Sequence, residues 1–223
     1  MNKTAAILLF SRTAYAEAQA KPLAFNESKA EKLAALTIQQ AKNKASASGL
    51  PVFHLSEKQQ RGETFGERFS NAFQDIFNKG FDSVIAIGND CLEISTENLL
   101  FTANKLVENP LVLGETHDGG VYILGLQRDI FHQLDFSRIT WQSENVFKEL
   151  TSVAEKLGIS PLFLDKKTDF DTPFDFIKTL ETVAFRLKKL FSALLQDTCP
   201  ISFSFGCSMP NPSFLSAQSL RAP

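Results

Sequence analysis

Three acidic motifs lie where apolar runs of the chain end, and their side chains could bind a cation. The motifs are Gly88-Asn89-Asp90, Asp118-Gly119-Gly120 and Asp169-Phe170-Asp171. Ligands of open α/β sheets bind in the crevice beyond the carboxyl ends of the strands, so Asp90, Asp118 and at least one of the later pair are expected to face a common cleft. Converging carboxylates repel one another, and a shared hard cation such as Mg²⁺ or Mn²⁺ relieves that repulsion.

Each motif also has a purely structural interpretation. Asp90 could cap a turn or the helix that is expected to begin near Ser95, and Asp118 could be a turn carboxylate before two glycines. Asp169 and Asp171 could mark the start of a helix, where the helix dipole favours acidic residues. Taken together, the three motifs favour a shared site more strongly than any one of them does alone.

Composition and charge exclude several classes of function. The 223 residues suit one α/β domain, and a formal net charge of -2 with dispersed Lys and Arg gives no footprint for nucleic acid. Three scattered cysteines form neither a disulfide framework nor a zinc site, which fits a reducing cytoplasm. The first apolar run is too short for a signal peptide, and no run is long enough to cross a bilayer. We therefore expect a cytoplasmic protein with no nucleic-acid or membrane partner.

Apolar periodicity predicts the elements that position the motifs. Strands are expected at 5–10, 51–55, 84–88, 111–113, 121–126 and 161–164, and helices at 28–48, 65–79, 96–107, 146–157 and 172–195. The helix at 28 would begin with the capping box Ser28-Lys29-Ala30-Glu31, and the last helix with Thr172 as N-cap and Pro173 as first residue. The link between 113 and 121 is short for a helical crossover, so 121–126 is expected to pair antiparallel in an otherwise parallel sheet.

These elements predict a three-layer α/β/α sandwich over residues 1–196. One helix face is rich in phenylalanine and is expected to be core and not a ligand groove: Phe65, Phe69, Ala72, Phe73, Ile76 and Phe77. Residues 197–223 are rich in Ser, Pro and Phe and are expected to form a tail, which either is disordered or docks on the domain or on another subunit of a homo-oligomer.

An ordered set of motifs resembles a bacterial family of glycosyltransferase-A-like proteins. The set is Gln60–Phe69 (QRGETFGERF), 88–91 (GNDC), 118–126 (DGGVYILGL), 141–143 (WQS) and 169–172 (DFDT), and the resemblance covers roughly residues 5–180. The family was long labelled a domain of unknown function and sits in the nucleotide-diphospho-sugar transferase superfamily. Some of its members are assigned as arsenosugar-biosynthesis glycosyltransferases. Each motif alone is weak, but their order is specific.

The resemblance implies a nucleotide-diphospho-sugar transferase (GT-A) fold that binds a nucleotide sugar or nucleotide, a small-molecule acceptor and Mg²⁺ or Mn²⁺. The implied metal ligands are Asp90, Asp169 and Asp171, and Asp118 is the implied catalytic residue. The implied substrate-binding residues are Arg12, Lys21, Gly62, Glu67, Arg68, Gly88, Asn89, Gly119, Gly120 and Trp141. Glu67 and Arg68 could instead form a solvated helix face, and Trp141 could be the edge of the core.

One segment departs from the family pattern. Relatives open with a Pro-Gly loop followed by Val-Lys-Thr-Arg-Leu, whose basic residues would hold phosphate, whereas this chain has SRTAYAEAQAKP at 11–22. Arg12 and Lys21 are the candidates to replace those residues. The retained acids favour a metal-dependent glycosyltransferase with a nucleoside-diphosphate-sugar donor. The alternatives are a nucleotidyltransferase acting on a phosphorylated small molecule and, given the altered loop, an inactive nucleotide- or sugar-binding protein.

Overall fold

The central sheet contains six strands, and the computed structural model describes residues 4–21 and 26–170 together with residues 172, 175, 176, 179, 189 and 191. The strands are β1 (Ala5–Phe10), β2 (Val52–Leu55), β3 (Ser83–Ile87), β4 (Leu111–Thr116), β5 (Val121–Gln127) and β6 (Leu162–Lys167). The predicted tail at 197–223 and Asp171 lie outside the described residues.

Strand order in the sheet is β2-β1-β3-β5-β4-β6. β5 runs antiparallel to both of its neighbours, while the pairs β1–β2, β1–β3 and β4–β6 are parallel. The predicted antiparallel strand is therefore confirmed, and the reason is the tight link at residues 117–120. The carboxyl ends of β1, β3, β4 and β6 consequently meet at one edge of the sheet, and each acidic motif follows one of the last three.

Helices cover both faces of this sheet, which confirms the three-layer sandwich. They are α1 (Ala14–Ala20), α2 (Glu27–Ala47), α3 (Phe65–Phe77), α4 (Thr96–Lys105), α5 (Arg128–Phe131) and α6 (Val146–Lys156), with a 3₁₀ turn at Phe136–Arg138. Side chains of β1 alternate between two cores: Ala6 and Leu8 pack with α3, whereas Ile7 and Leu9 belong to the core with α4. No helix in the described part of the chain is long and apolar enough to cross a membrane.

The phenylalanine-rich face of α3 is core, as predicted. Phe73 and Phe77 are fully buried, Phe69 is 8% exposed, and Phe65 packs against the same cluster while partly buried. The rings meet edge to face or offset, for example Phe69 and Phe73 at 5.0 Å between centroids. This face anchors α3 to the sheet and so fixes the loop that precedes it.

The predicted starts of two helices have different outcomes. The prediction of a capping box at Ser28 is wrong, because α2 begins at Glu27. The Asn26 side chain accepts from Lys29 N at 3.2 Å, which makes Asn26 the N-cap residue and places Ser28 inside the first turn. At the other end, Thr172 Oγ1 accepts from Asp175 N at 3.2 Å and donates to Asp175 Oδ2 at 2.6 Å, as an N-cap residue does. Pro173 and most of that helix lie outside the described residues.

Candidate functional site

A cleft of about 810 Å³ opens at the carboxyl edge of the sheet. Its walls come from the segments after β1 and β3, from the loop before α3, from the turn between β4 and β5, and from residues 141–146. The predicted site residues that line it are Arg12, Lys21, Gly62, Arg68, Gly88, Asn89, Asp90, Asp118, Gly120, Trp141 and Asp169. The structure thus brings together carboxylates from all three acidic motifs. Glu67 and Gly119, which were also predicted, are not among the described lining residues.

Asp90 lies directly beyond β3, and its carboxylate folds back over Gly88. A Cβ atom on Gly88 would lie 2.6 Å from Asp90 Oδ1, so only glycine leaves room for this arrangement. Lys21 Nζ donates to Asp90 Oδ2 at 3.1 Å. The Asp90 carbonyl accepts from Phe170 N at 3.0 Å. This last hydrogen bond ties the segment after β6 to the segment after β3 and brings Asp169 to the same part of the cleft.

Asp118 lies in the tight turn between β4 and β5. Its Oδ1 accepts from the Thr116 hydroxyl and, at 3.1 Å, from Gly120 N. A Cβ atom on Gly120 would lie 3.3 Å from Asp118 Oδ1 and 3.8 Å from Asp169 Oδ2, so both carboxylates border the same small residue. The turn therefore holds the Asp118 carboxylate at the cleft, close to that of Asp169.

Gly119 supports this turn from behind. Its φ of +91° is a conformation that favours glycine, and a Cβ atom there would overlap the Glu144 carbonyl oxygen. The Gly119 carbonyl accepts from Phe147 N at 3.1 Å. The turn and the segment from Trp141 to α6 therefore form one continuous wall of the cleft.

The segment after β1 departs from a phosphate-binding loop, and its cations are paired with acids. Arg12 Nη1 donates to Glu17 Oε2 at 3.2 Å, and Glu17 is only 4% exposed. Glu57, which follows β2, accepts from Thr13 N at 2.5 Å and from Thr13 Oγ1 at 2.7 Å. Burial acts to raise the pKa of Glu57, but these hydrogen bonds outweigh it and lower that pKa below its usual value. They fix the start of α1.

Two predicted side chains have structural partners. Glu67 completes a capping box with Thr64 at the start of α3, and its Oε2 accepts from Glu63 N at 2.8 Å. The Asn89 side chain is 6% exposed and donates to Thr37 Oγ1 at 3.3 Å, which joins the end of β3 to α2. Glu67 therefore fixes the start of α3, and Asn89, which lines the cleft, is anchored to α2.

Arg68 and Trp141 face the cleft in different ways. Arg68 Nη1 donates to the Glu63 carbonyl at 2.8 Å, and within the described ranges no carboxylate pairs with its guanidinium. The Trp141 indole stacks on Phe136 at 5.5 Å and donates to the Phe136 carbonyl at 2.8 Å. Trp141 is therefore an edge of the aromatic core that reaches the cleft, whereas Arg68 presents a cation to it.

Carboxylates outnumber cations among the described residues of the cleft lining. This part of the lining has six acids (Glu17, Glu57, Asp90, Asp118, Glu144 and Asp169) and three cations (Arg12, Lys21 and Arg68). Among the described residues, no group of three or more His, Cys, Asp or Glu side chains could hold a metal by itself. Asp90 and Asp169 are suitable as one or two oxygen ligands of Mg²⁺, which commonly takes its other ligands from water and substrate phosphate.

Sequence reasoning missed three of these acids. Glu57 directly follows Ser56 at the end of a predicted strand, so its position at the same carboxyl edge was a usable signal. Glu17 lies in α1, an alanine-rich helix of seven residues that is too short to show a period, and Glu144 lies in a loop.

A family model for uncharacterized proteins conserved in bacteria (DUF2064) matches residues 23–143, slightly more than half of the chain. A proposed nucleotide-diphospho-sugar transferase from Desulfovibrio desulfuricans G20 has a similar structure, with a TM-score of 0.72 at 20% identity over 88% of this chain and 98% of that one. Rv0371c from Mycobacterium tuberculosis H37Rv has a TM-score of 0.50 at 15% identity, and the match covers 81% of this chain and 100% of that one. No curated protein matches the sequence. At these identities the likeness shows the fold, which is that of the nucleotide-diphospho-sugar transferases.

Proposed function

Because this chain belongs to the DUF2064 family and has the fold of nucleotide-diphospho-sugar transferases, we propose that it is a metal-dependent glycosyltransferase with a nucleoside-diphosphate-sugar donor. The observation that carries the proposal is the meeting of Asp90, Asp118 and Asp169, each from a different loop, on one cleft. A volume of about 810 Å³ lies within the usual range for small-molecule sites.

The charge of the cleft supports the requirement for a divalent cation. With six carboxylates against three cations among its described residues, this lining would repel a diphosphate. We expect Asp90 and Asp169 to hold Mg²⁺ or Mn²⁺, together with phosphate oxygens of the donor and with Asp171 as a further candidate ligand. Such a cation would neutralise the charge that develops on the leaving diphosphate.

The remaining roles follow from which side chains have acidic partners. Arg68 carries the guanidinium that no described carboxylate pairs with, so its planar donor fork is available for a phosphate oxygen. Asp118 is held through Oδ1, and we expect its carboxylate to accept a hydrogen bond from the acceptor hydroxyl and to take up the proton on transfer. Gly120 lies beside this carboxylate in the cleft lining, and its lack of a side chain permits close approach of the backbone to a ligand.

The same charge balance disfavours nucleotidyl transfer. A nucleoside triphosphate and a phosphorylated co-substrate would bring more negative charge into a cleft whose acids already exceed its cations. An inactive binding protein is the second candidate. It is favoured by the pairing of Arg12 with Glu17 and of Lys21 with Asp90, which occupies both cations of the altered first segment.

Binding experiments test the site before any acceptor is known. Thermal shift with a panel of nucleoside diphosphates and nucleotide sugars, with and without Mn²⁺, should find at least one ligand that raises Tm when Mn²⁺ is present. Calorimetry with that ligand should show that Asp90→Asn abolishes the metal-dependent part of the affinity, since the amide keeps the shape of the carboxylate and removes its charge. Asp129→Asn, which removes an exposed acid of α5 that does not line the described part of the cleft, is the matched control.

Two results would contradict the proposal. One is a wild-type protein that binds no panel member with or without metal, and the other is Asp90→Asn binding as tightly as the wild type. Product analysis then separates the reactions: glycosyl transfer releases a nucleoside diphosphate from the nucleotide sugar, whereas nucleotidyl transfer releases pyrophosphate from a triphosphate.

A further inference from the structure

We propose that the ammonium group of Lys21 keeps divalent cations off Asp90 until a diphosphate arrives and accepts that ammonium group. Cation and diphosphate would then bind together and not one after the other. This inference rests on the proposed function, because it takes Asp90 as a cation ligand.

The position of the ammonium group is the first observation. Lys21 Nζ lies 3.1 Å from Asp90 Oδ2, and the two side chains are 19% and 34% exposed. Gly88 lies beneath the same carboxylate, and a Cβ there would lie 2.6 Å from Oδ1. Gly88 at the end of β3 and the ammonium group of Lys21 thus contact the Asp90 carboxylate at different oxygen atoms. A divalent cation bound to Oδ2 would lie within a few ångströms of a positive charge.

The second observation is that the chain holds Lys21 in this place. Lys21 is the C-cap of α1, and its N–H donates to the Glu17 carbonyl at 2.8 Å. Glu57 fixes the other end of α1 through both of its hydrogen bonds from Thr13. Ala18 of α1 is buried against α2 beside Ala30. A cation at the C-terminal end of a helix is also favoured by the helix dipole.

These two observations predict coupled binding. The like charges of the ammonium group and a divalent cation oppose each other, so a cation alone must bind Asp90 against the charge of Lys21. A diphosphate supplies both oxygen ligands for the cation and acceptors for the ammonium group. Each ligand should therefore raise the affinity for the other by the same factor, as thermodynamic linkage requires.

Mn²⁺ binding measures this directly, because electron paramagnetic resonance reports the free ion and needs no enzymatic turnover. The proteins are the wild type, Lys21→Met, Lys21→Gln, Lys21→Arg and, as control, Lys32→Met, which removes an exposed lysine of α2. Even with the screening of bulk water, removal of one positive charge about 5 Å from Mn²⁺ should raise its affinity about tenfold. We expect this gain in Lys21→Met and Lys21→Gln, and wild-type affinity in Lys21→Arg and Lys32→Met.

Pyrophosphate, which has no base or sugar, tests the coupling. Because pyrophosphate itself chelates Mn²⁺, the Mn²⁺ bound to protein is taken as the difference from a titration without protein. Measured in this way, pyrophosphate should raise the Mn²⁺ affinity of the wild type and raise that of Lys21→Met by a clearly smaller factor. Circular dichroism checks that each variant is folded. Two neutral substitutions are included so that the test still stands if one of them does not fold.

The inference is overturned if the neutral variants bind Mn²⁺ within about twofold of the wild type, or if neither binds it at all. It is also overturned if Lys21→Arg gains affinity as the neutral variants do, because charge would then not be the cause. The proposed function fails separately. If the neutral variants gain Mn²⁺ affinity while no nucleotide sugar binds, Lys21 does oppose cation binding at Asp90 and the glycosyltransferase assignment is wrong.

Discussion

Replacement of Phe73 by Ala tests whether the aromatic core holds α3, which carries Arg68 and follows the loop that carries Gly62. Phe73 is fully buried and contacts four other rings, with centroid distances of 5.0 Å to Phe69, 6.2 Å to Phe77 and 5.7 Å to both Phe131 and Phe136. Deleting a buried Phe side chain removes its transfer free energy and leaves a cavity, which costs about 3–5 kcal/mol. The four lost ring contacts place the expected loss toward the upper part of that range.

Urea unfolding followed by circular dichroism measures this loss. The midpoint should fall while the slope with denaturant stays the same, because the surface exposed on unfolding hardly changes. In a domain of this size, a loss of about 3–5 kcal/mol lowers Tm by roughly 6–20 °C. The matched control is Phe101→Ala on α4, whose ring is 47% exposed and should cost less than about 1 kcal/mol. A loss near zero for Phe73→Ala would refute the assignment of this face as core.

Two further substitutions test how the cleft walls are held. Gly119→Ala should lose at least about 1–3 kcal/mol of stability from backbone strain, and more because its Cβ would overlap the Glu144 carbonyl oxygen. Gly158→Ala is the control, because Gly158 also has a positive φ but nothing lies within 4 Å of an added Cβ. Equal losses for the two variants in thermal unfolding would exclude a contribution from the overlap. Because hydrogen bonds from Thr13 lower the pKa of Glu57, the ionised carboxylate stabilises the fold at pH values above its unfolded pKa, and this stabilisation is lost as the pH falls through its folded pKa. The Tm of Glu57→Gln should therefore fall less than that of the wild type below about pH 4.5. An equal fall in Tm for both proteins would contradict this.

Local pattern was sufficient for most of the fold. Apolar runs located all six strands and four of the helices to within a few residues, because burial on both faces of a parallel sheet leaves long apolar stretches. The short link between β4 and β5 also fixed the direction of β5, since no helix fits within it. Helix α1 escaped prediction because seven residues carry too little periodicity, and the start of α2 was misplaced because two polar residues compete as its cap.

The sequence by itself also determined which acids could share a site. Asp90, Asp118 and Asp169 each follow a strand, and strands that run in parallel deliver their carboxyl ends to one edge of the sheet, so the cleft they line was predictable without coordinates. The hydrogen-bond partners of individual side chains were not. The Glu67 side chain accepts from a backbone N–H before α3, and the Asn89 side chain donates to Thr37, and neither partner is indicated by local pattern.

Tertiary structure alone decided the electrostatic state of the cleft. Lys21 and Asp90 are 69 positions apart, and Thr13 and Glu57 are 44 apart. Such pairs leave no trace in local periodicity or spacing, because they form only after separate strands have brought their loops to the same edge. Charge interactions depend on distance in space and on the screening around each pair, and both are properties of the folded chain.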